Sequence, residues 1–196
     1  MGDIFLSETL GTMTLILLGN GVVANVLLSQ SKGQNSGWIV ITAGWGFGVF
    51  AGVAVALSVY PEGGAHINPA VTIGLATIGL TSWSDVPVYI AGQFVGAFVG
   101  AVLVWLAYSN HWSATEDPGL KLACYSTGPA IRNTTANVIT EIIGTFALVF
   151  GVLALAGVSG EMGLIGAPLA VGVLVWGIGL SLGGPTGYAI NPARDL

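Results

Sequence analysis

Charge is what this sequence has least of. Nine acidic and four basic residues among 196 give a net charge of -5 and a charged fraction of 7%, where a soluble domain carries roughly 25%. Because 54% of the residues are hydrophobic, a water-soluble fold of this size would leave large apolar patches uncovered. Lipid is the solvent that removes that penalty. The four cations, Lys32, Lys121, Arg132 and Arg194, stand apart from one another. With no basic patch to neutralise phosphates, nucleic acid is excluded as a partner. The single cysteine, Cys124, excludes a disulfide framework within the chain. Two histidines, and neither an H-E-x-x-H nor a G-x-S-x-G sequence, speak against an intramembrane enzyme, a metal site or a cofactor.

What the chain has in abundance is glycine, 31 residues, set inside apolar runs where membrane helices use it to bring backbones together. About 20 apolar residues cross a bilayer, and five stretches qualify: Phe5 to Leu28, Trp38 to Tyr60, Val86 to Tyr108, Val138 to Gly157 and Leu164 to Leu182. Gly44, Gly48 and Gly52 in the second run, and Gly92, Gly96 and Gly100 in the third, are spaced four apart and read as flat packing faces. Asn68 to Gly79 is helical in pattern but only 12 residues long, too short to span, and so reads as re-entrant or buried. Ser109 to Asn137 reads as one long aqueous loop.

The two halves on either side of that loop repeat. Glu8-x-x-Gly11-Thr12 returns as Glu141-x-x-Gly144-Thr145, Trp45-Gly46-Phe47-Gly48 as Trp176-Gly177-Ile178-Gly179, and Ile67-Asn68-Pro69-Ala70 as Ile190-Asn191-Pro192-Ala193. Three matches in one order are a duplication signal. The expected organisation is a first repeat over 1–108, a connecting loop over 109–137 and a second repeat over 138–196. Three spans per unit, an odd number, force the second copy into the membrane from the opposite side. A sixth span is expected beyond Leu196, so the chain reads as truncated relative to a six-span design.

Asn is a strong N-cap and Pro suits the first helical position, so each Asn-Pro-Ala is a helix start. Two helix N-termini meeting at the midplane, with the Asn68 and Asn191 amides as donors, would bind a passing hydroxyl oxygen and repel cations and protons. The non-helical stretches ahead of them, Gly63 to Ile67 and Gly184 to Ile190, are tolerated at that depth only if buried in protein or lining an aqueous cavity. Backbone carbonyls of Gly64, Ala65, His66, Ile67, Gly187 and Ala189 would then form a ladder of acceptors. Glu8 and Glu141 lie inside spans, where an ionisable group is a functional candidate by default. Their expected role is structural, accepting hydrogen bonds from loop N–H groups. Gln93 faces either the loop or the pore.

The two motif regions, Gly64-Ala65-His66-Ile67-Asn68-Pro69-Ala70-Val71-Thr72 and Thr186-Gly187-Tyr188-Ala189-Ile190-Asn191-Pro192-Ala193-Arg194-Asp195, resemble those of the major intrinsic protein family, the aquaporins and glycerol facilitators. The resemblance runs the length of the chain. It implies an all-α membrane fold of three-helix inverted repeats with two half-helices, five spans and the start of the second half-helix being present here. It also implies a homotetramer in the lipid bilayer of the cell membrane with one pore per subunit. Arg194 matches the constriction arginine, and Asp195 after it resembles the glycerol-conducting branch and is grouped with Glu8 and Glu141 as loop support. Gly179 stands where water-selective members usually carry a pore-narrowing His. Trp45 matches the aromatic wall of glycerol facilitators, and Tyr188 takes a place usually filled by Phe. The implied filter is Trp45 and Tyr188 opposite Arg194, an apolar wedge facing polar groups, which suits glycerol and other small neutral solutes along with water.

A water-selective aquaporin is the nearest alternative, a gradient-coupled transporter a more distant one. For Trp45 the alternative role is an interfacial belt residue. The family's orientation puts Lys32, Lys121 and Arg132 on outer loops, against the positive-inside bias, and is the orientation adopted.

Overall fold

A computed structural model describes residues 2–157 and 159–195. Nine helices and no strand occur among the described residues. The long ones are α1 (Gly2–Leu27), α2 (Trp38–Val59), α4 (Val86–Ala107), α7 (Thr134–Ala156) and α8 (Ser159–Leu182), and all five provide a stretch long and apolar enough to cross a membrane. The short ones are α3 (Pro69–Thr77), α5 (Ser109–Ala114), α6 (Pro118–Ala123) and α9 (Pro192–Asp195).

Helix α1 lies between α2 and α4, α2 packs on α8, and α8 on α7. The two glycine rows are the faces turned to α1. A Cβ at Gly52 would come within 2.7 Å of the Gly11 carbonyl oxygen, one at Gly92 within 2.8 Å of Phe5 O and one at Gly100 within 2.7 Å of Met13 O. Helix backbones in contact leave no space for a side chain, which is why small residues collect at membrane helix crossings. Gly46 and Gly172 do the same where α2 crosses α8, the principal seam between the two halves.

Two readings differ from the structure, the start of α7 and the connecting loop, while the fifth span agrees. Helix α7 begins at Thr134 because Asn133 caps it, its side chain accepting from Ala136 N at 3.1 Å, and the polar Thr134, Thr135 and Asn137 hide that first turn from an apolar scan. Helix α8 is broken at Gly163 (φ 69°), and its spanning part, Ile165–Leu182, matches the expected fifth span. The segment read as one aqueous loop holds α5 and α6 instead, with Thr115 and Cys124 each 1% exposed. Its order is local in origin: Asp117 accepts from Gly119 N at 2.7 Å, and Pro118 occupies the first helical position. This segment is tied to the α1–α2 loop, Ser29 N donating to Thr115 Oγ1 at 2.9 Å and His111 Nδ1 lying 2.9 Å from Ser29 O.

Helix α3 is bounded at both ends by its sequence. Asn68 caps its start, and Gly79 (φ 78°) closes it with bonds from Gly79 N to Ala76 O and from Leu80 N to Leu75 O, the paired bonds of a Schellman ending.

Candidate conduction path

The two motif segments reach one place from opposite halves, and α3 and α9 touch there. Asn68 Oδ1 accepts from Ala70 N at 2.8 Å, and Asn191 Oδ1 from Ala193 N at 3.1 Å. Each carboxamide nitrogen crosses to the other half: Asn68 Nδ2 donates to Ile190 O and Asn191 Nδ2 to Ile67 O, both at 2.8 Å. A carboxamide has two N–H donors, so each asparagine uses one on the fold and keeps one for a ligand. The accepting residues, Ile67 (φ 44°) and Ile190 (φ 42°), hold the left-handed backbone conformation, which a β-branched residue adopts only when its surroundings impose it.

Glu8 is fully buried and imposes the first turn. It accepts from His66 N at 2.8 Å, Ile67 N at 2.7 Å and Gln93 Nε2 at 2.6 Å. Gln93 therefore faces the loop, and it also donates to Thr72 Oγ1 at 2.9 Å. The His66 ring is packed, stacked on Tyr89 at 4.1 Å between centroids with Nδ1 3.1 Å from Thr72 Oγ1. Gly64 (φ 68°) makes the turn out of the 3-10 turn Pro61–Gly63. In the second half Glu141 accepts from Ala189 N at 3.2 Å and Ile190 N at 3.1 Å.

Three cavities follow one another along this axis. The first, about 230 Å³, is bounded by Trp38, Trp45, Thr127, Gly187, Tyr188 and Arg194. The second, about 40 Å³, shares Trp45, Tyr188 and Arg194 with it and adds Asn68, Ala189 and Asn191. The third, about 60 Å³, shares the two asparagines with the second and adds Ala65, His66 and Ile67. Two necks thus interrupt the path. One is ringed by two aromatics and a guanidinium; the other is the asparagine pair.

At the first neck Arg194 is not across from Trp45, as the wedge reading has it. Its Cζ lies 4.4 Å from the indole centroid, because a guanidinium withdrawn from water gains cation–π energy on that face. Trp45 is 5% exposed, which removes the interfacial belt role, and its ring fills the space that a Cβ at Gly19 would need. Gly179 lies behind Tyr188: a Cβ there would fall 2.7 Å from Tyr188 Cζ and 2.8 Å from its hydroxyl oxygen. The glycine makes room for the tyrosine. Trp38 holds the same corner, donating from Nε1 to Gly179 O at 3.1 Å with its ring at 80° to that of Tyr188. The Tyr188 hydroxyl is buried and has no hydrogen-bond partner among the described residues, so the ring rather than the hydroxyl is what the neck presents.

Asp195 fastens this corner from outside. Its Oδ1 accepts from Thr127 N at 2.6 Å and from Arg194 Nη1 at 3.0 Å, and its Oδ2 from Thr127 Oγ1 at 3.1 Å. Residues 127–130 therefore lie against the second loop, where Ala130 N also donates to Pro185 O. Thr127, Gly19 and Trp38 carry no motif that would single them out in the sequence. Gln93 was visible there as a polar residue inside a span, without a direction.

Residues 3–196 match the family described as Major intrinsic protein. Among curated relatives, the probable glycerol uptake facilitator protein of Thermotoga maritima is 63% identical over 197 residues, covering 99% of this chain and 81% of that protein. The glycerol uptake facilitator protein of Bacillus subtilis is 53% identical, covering 98% and 68%, and that of Streptococcus pneumoniae R6 is 53% identical, covering 100% and 81%. The X-ray structure of the aquaglyceroporin from Plasmodium falciparum superposes with a TM-score of 0.85 at 33% identity, over 100% of this chain and 78% of that one. Two half-helices capped by crossed asparagines, on a scaffold of apolar helices, belong with that likeness in sequence and shape: this chain is a multi-pass membrane protein of the major intrinsic protein family.

Proposed function

We propose that this chain is a passive channel for glycerol and other small uncharged solutes, water included, that excludes ions and protons and catalyses no reaction. The carrying observation is the neck of Trp45, Tyr188 and Arg194 beside the crossed asparagines. Glycerol has a hydrocarbon edge and a hydroxyl edge. Aromatic faces accept the first, and the guanidinium with the free amide N–H groups of Asn68 and Asn191 accepts the second. The fixed cation and the two helix N-termini oppose cations along the same path. Relatives named for glycerol uptake support the solute class.

In this reading the chain is two repeats, 1–108 and 138–196, joined by 109–137, set in the bacterial plasma membrane as a homotetramer. Asn68-Pro69-Ala70 and Asn191-Pro192-Ala193 form the central neck, and Trp45, Tyr188 and Arg194, with Gly179 behind them, form the filter. Carbonyls of Gly64, Ala65, His66, Ile67, Gly187 and Ala189 line the approaches, while Glu8, Glu141 and Asp195 support the loops. The matched backbone angles of Ile67 and Ile190 support the division into repeats. Purified protein in liposomes tests the function by stopped-flow light scattering. Glycerol uptake that is non-saturating and indifferent to pH or sodium gradients is expected. Dependence on either gradient, or water flux without glycerol flux, overturns the reading.

A further inference from the structure

Arg194 sits in the second half, but its carboxylate partner is held by the connecting loop. Asp195 gives one oxygen to both Arg194 Nη1 and Thr127 N, and the other to the Thr127 hydroxyl. Among the described residues the guanidinium has one hydrogen-bond partner, Asp195, beside its contact with the Trp45 ring, so that carboxylate helps to fix its position. The same threonine is seated against the turn before the filter: a Cβ at Gly187 would meet Thr127 Cβ at 3.0 Å and Cγ2 at 3.1 Å, and Gly187 holds φ 90°. A carboxylate held through both oxygens has little freedom to swing.

We propose that Thr127 is a positioning residue of the solute filter: by holding both Asp195 oxygens it sets the place of the Arg194 guanidinium over Trp45, so that the connecting loop takes part in choosing the solute. The proposal rests on the channel reading and deepens it. Thr127 also borders the first cavity, so loosening it changes the width of the polar side of the neck without touching the asparagine pair.

The test compares glycerol and water permeabilities of the full chain in liposomes. Thr127→Val removes the hydroxyl bond and keeps the backbone one; the ratio of glycerol to water flux is expected to shift roughly ten-fold, the lower end of the scale for one lost hydrogen bond to a charged group. Thr127→Ser is expected to restore the ratio. In an Asp195→Asn background Thr127→Val is expected to add little, because the two residues act in series. Wild-type protein impermeable to glycerol overturns the channel reading itself. A conducting wild type with an unchanged ratio in Thr127→Val overturns only the role of Thr127, as do an equal loss of both fluxes or fully additive effects. If Thr127→Val does not accumulate, Thr127→Ala removes the same hydroxyl and is read the same way.

Discussion

The two re-entrant loops come from one repeated plan yet are secured differently. The first is gripped from within its own half, where Glu8 takes three donors, two from the loop and one from Gln93 on α4, at 2.6 to 2.8 Å in full burial. In the second, Glu141 accepts two loop N–H bonds, at 3.1 and 3.2 Å. It is also tied to the connecting loop through Asp195 and packed by the Trp38 ring against Tyr188. Of the proposed filter residues, Tyr188 lies on this second loop, Arg194 in α9 directly after it and Trp45 on α2. Sequence repetition thus accompanies two turns of matching backbone angle at Ile67 and Ile190, whose further contacts among the described residues differ.

Breaking the Glu8 grip should have the largest effect. Glu8→Ala leaves three donors without an acceptor in a buried site, at about 1–3 kcal/mol each, and is expected to prevent accumulation of folded protein, as read by size-exclusion in detergent. Glu141→Ala leaves two loop donors, joined by longer bonds, without an acceptor, so a folded protein is expected whose thermal midpoint drops by several degrees. Equal losses in the two variants would erase the asymmetry.

The filter side of the comparison is sharpened at Gly179. Replacing it with His places atoms where the Tyr188 ring stands; the ring must move into the neck, and glycerol flux is expected to fall about ten-fold or more while water flux changes less. Unchanged glycerol flux would show that Tyr188 does not border the limiting neck. Gln93→Leu keeps the bulk and removes one donor to Glu8, with an expected destabilisation of about 1 kcal/mol and an unaltered ratio of glycerol to water flux. The smallest effect concerns the connecting loop. Burial pushes the Cys124 thiol up to about 12, so the reactive thiolate is scarce throughout the neutral range. Maleimide labelling at pH 7 is expected to be slow in the native protein and rapid after denaturation; fast native labelling would mean that the loop opens.

Much of this molecule is written in local pattern. Asn68-Pro69 and Asn191-Pro192 announce helix starts through capping chemistry alone, and the structure has both caps. The glycine rows announce close packing because four-residue spacing puts them on one helical face. The α5 and α6 helices were missed because a composition scan sees a polar loop where the Asp117 cap and Pro118 supply helix-forming signals. Gln93 was visible as a polar residue in a span, but its partner Glu8 is 85 positions away, beyond the reach of periodicity.

Hydropathy and local motifs by themselves determined that the chain lies in lipid, that it crosses about five times, and that two short helices begin at repeated Asn-Pro pairs, because each of these is read from one contiguous stretch of sequence. Only the tertiary structure decided where the scarce charges and amides act. Asn68 meets Ile190 and Thr127 meets Asp195 across separations of 122 and 68 residues. The order in which helices pack around α1 and α2 brings such pairs together, and so sets Arg194 on the face of Trp45 rather than across from it.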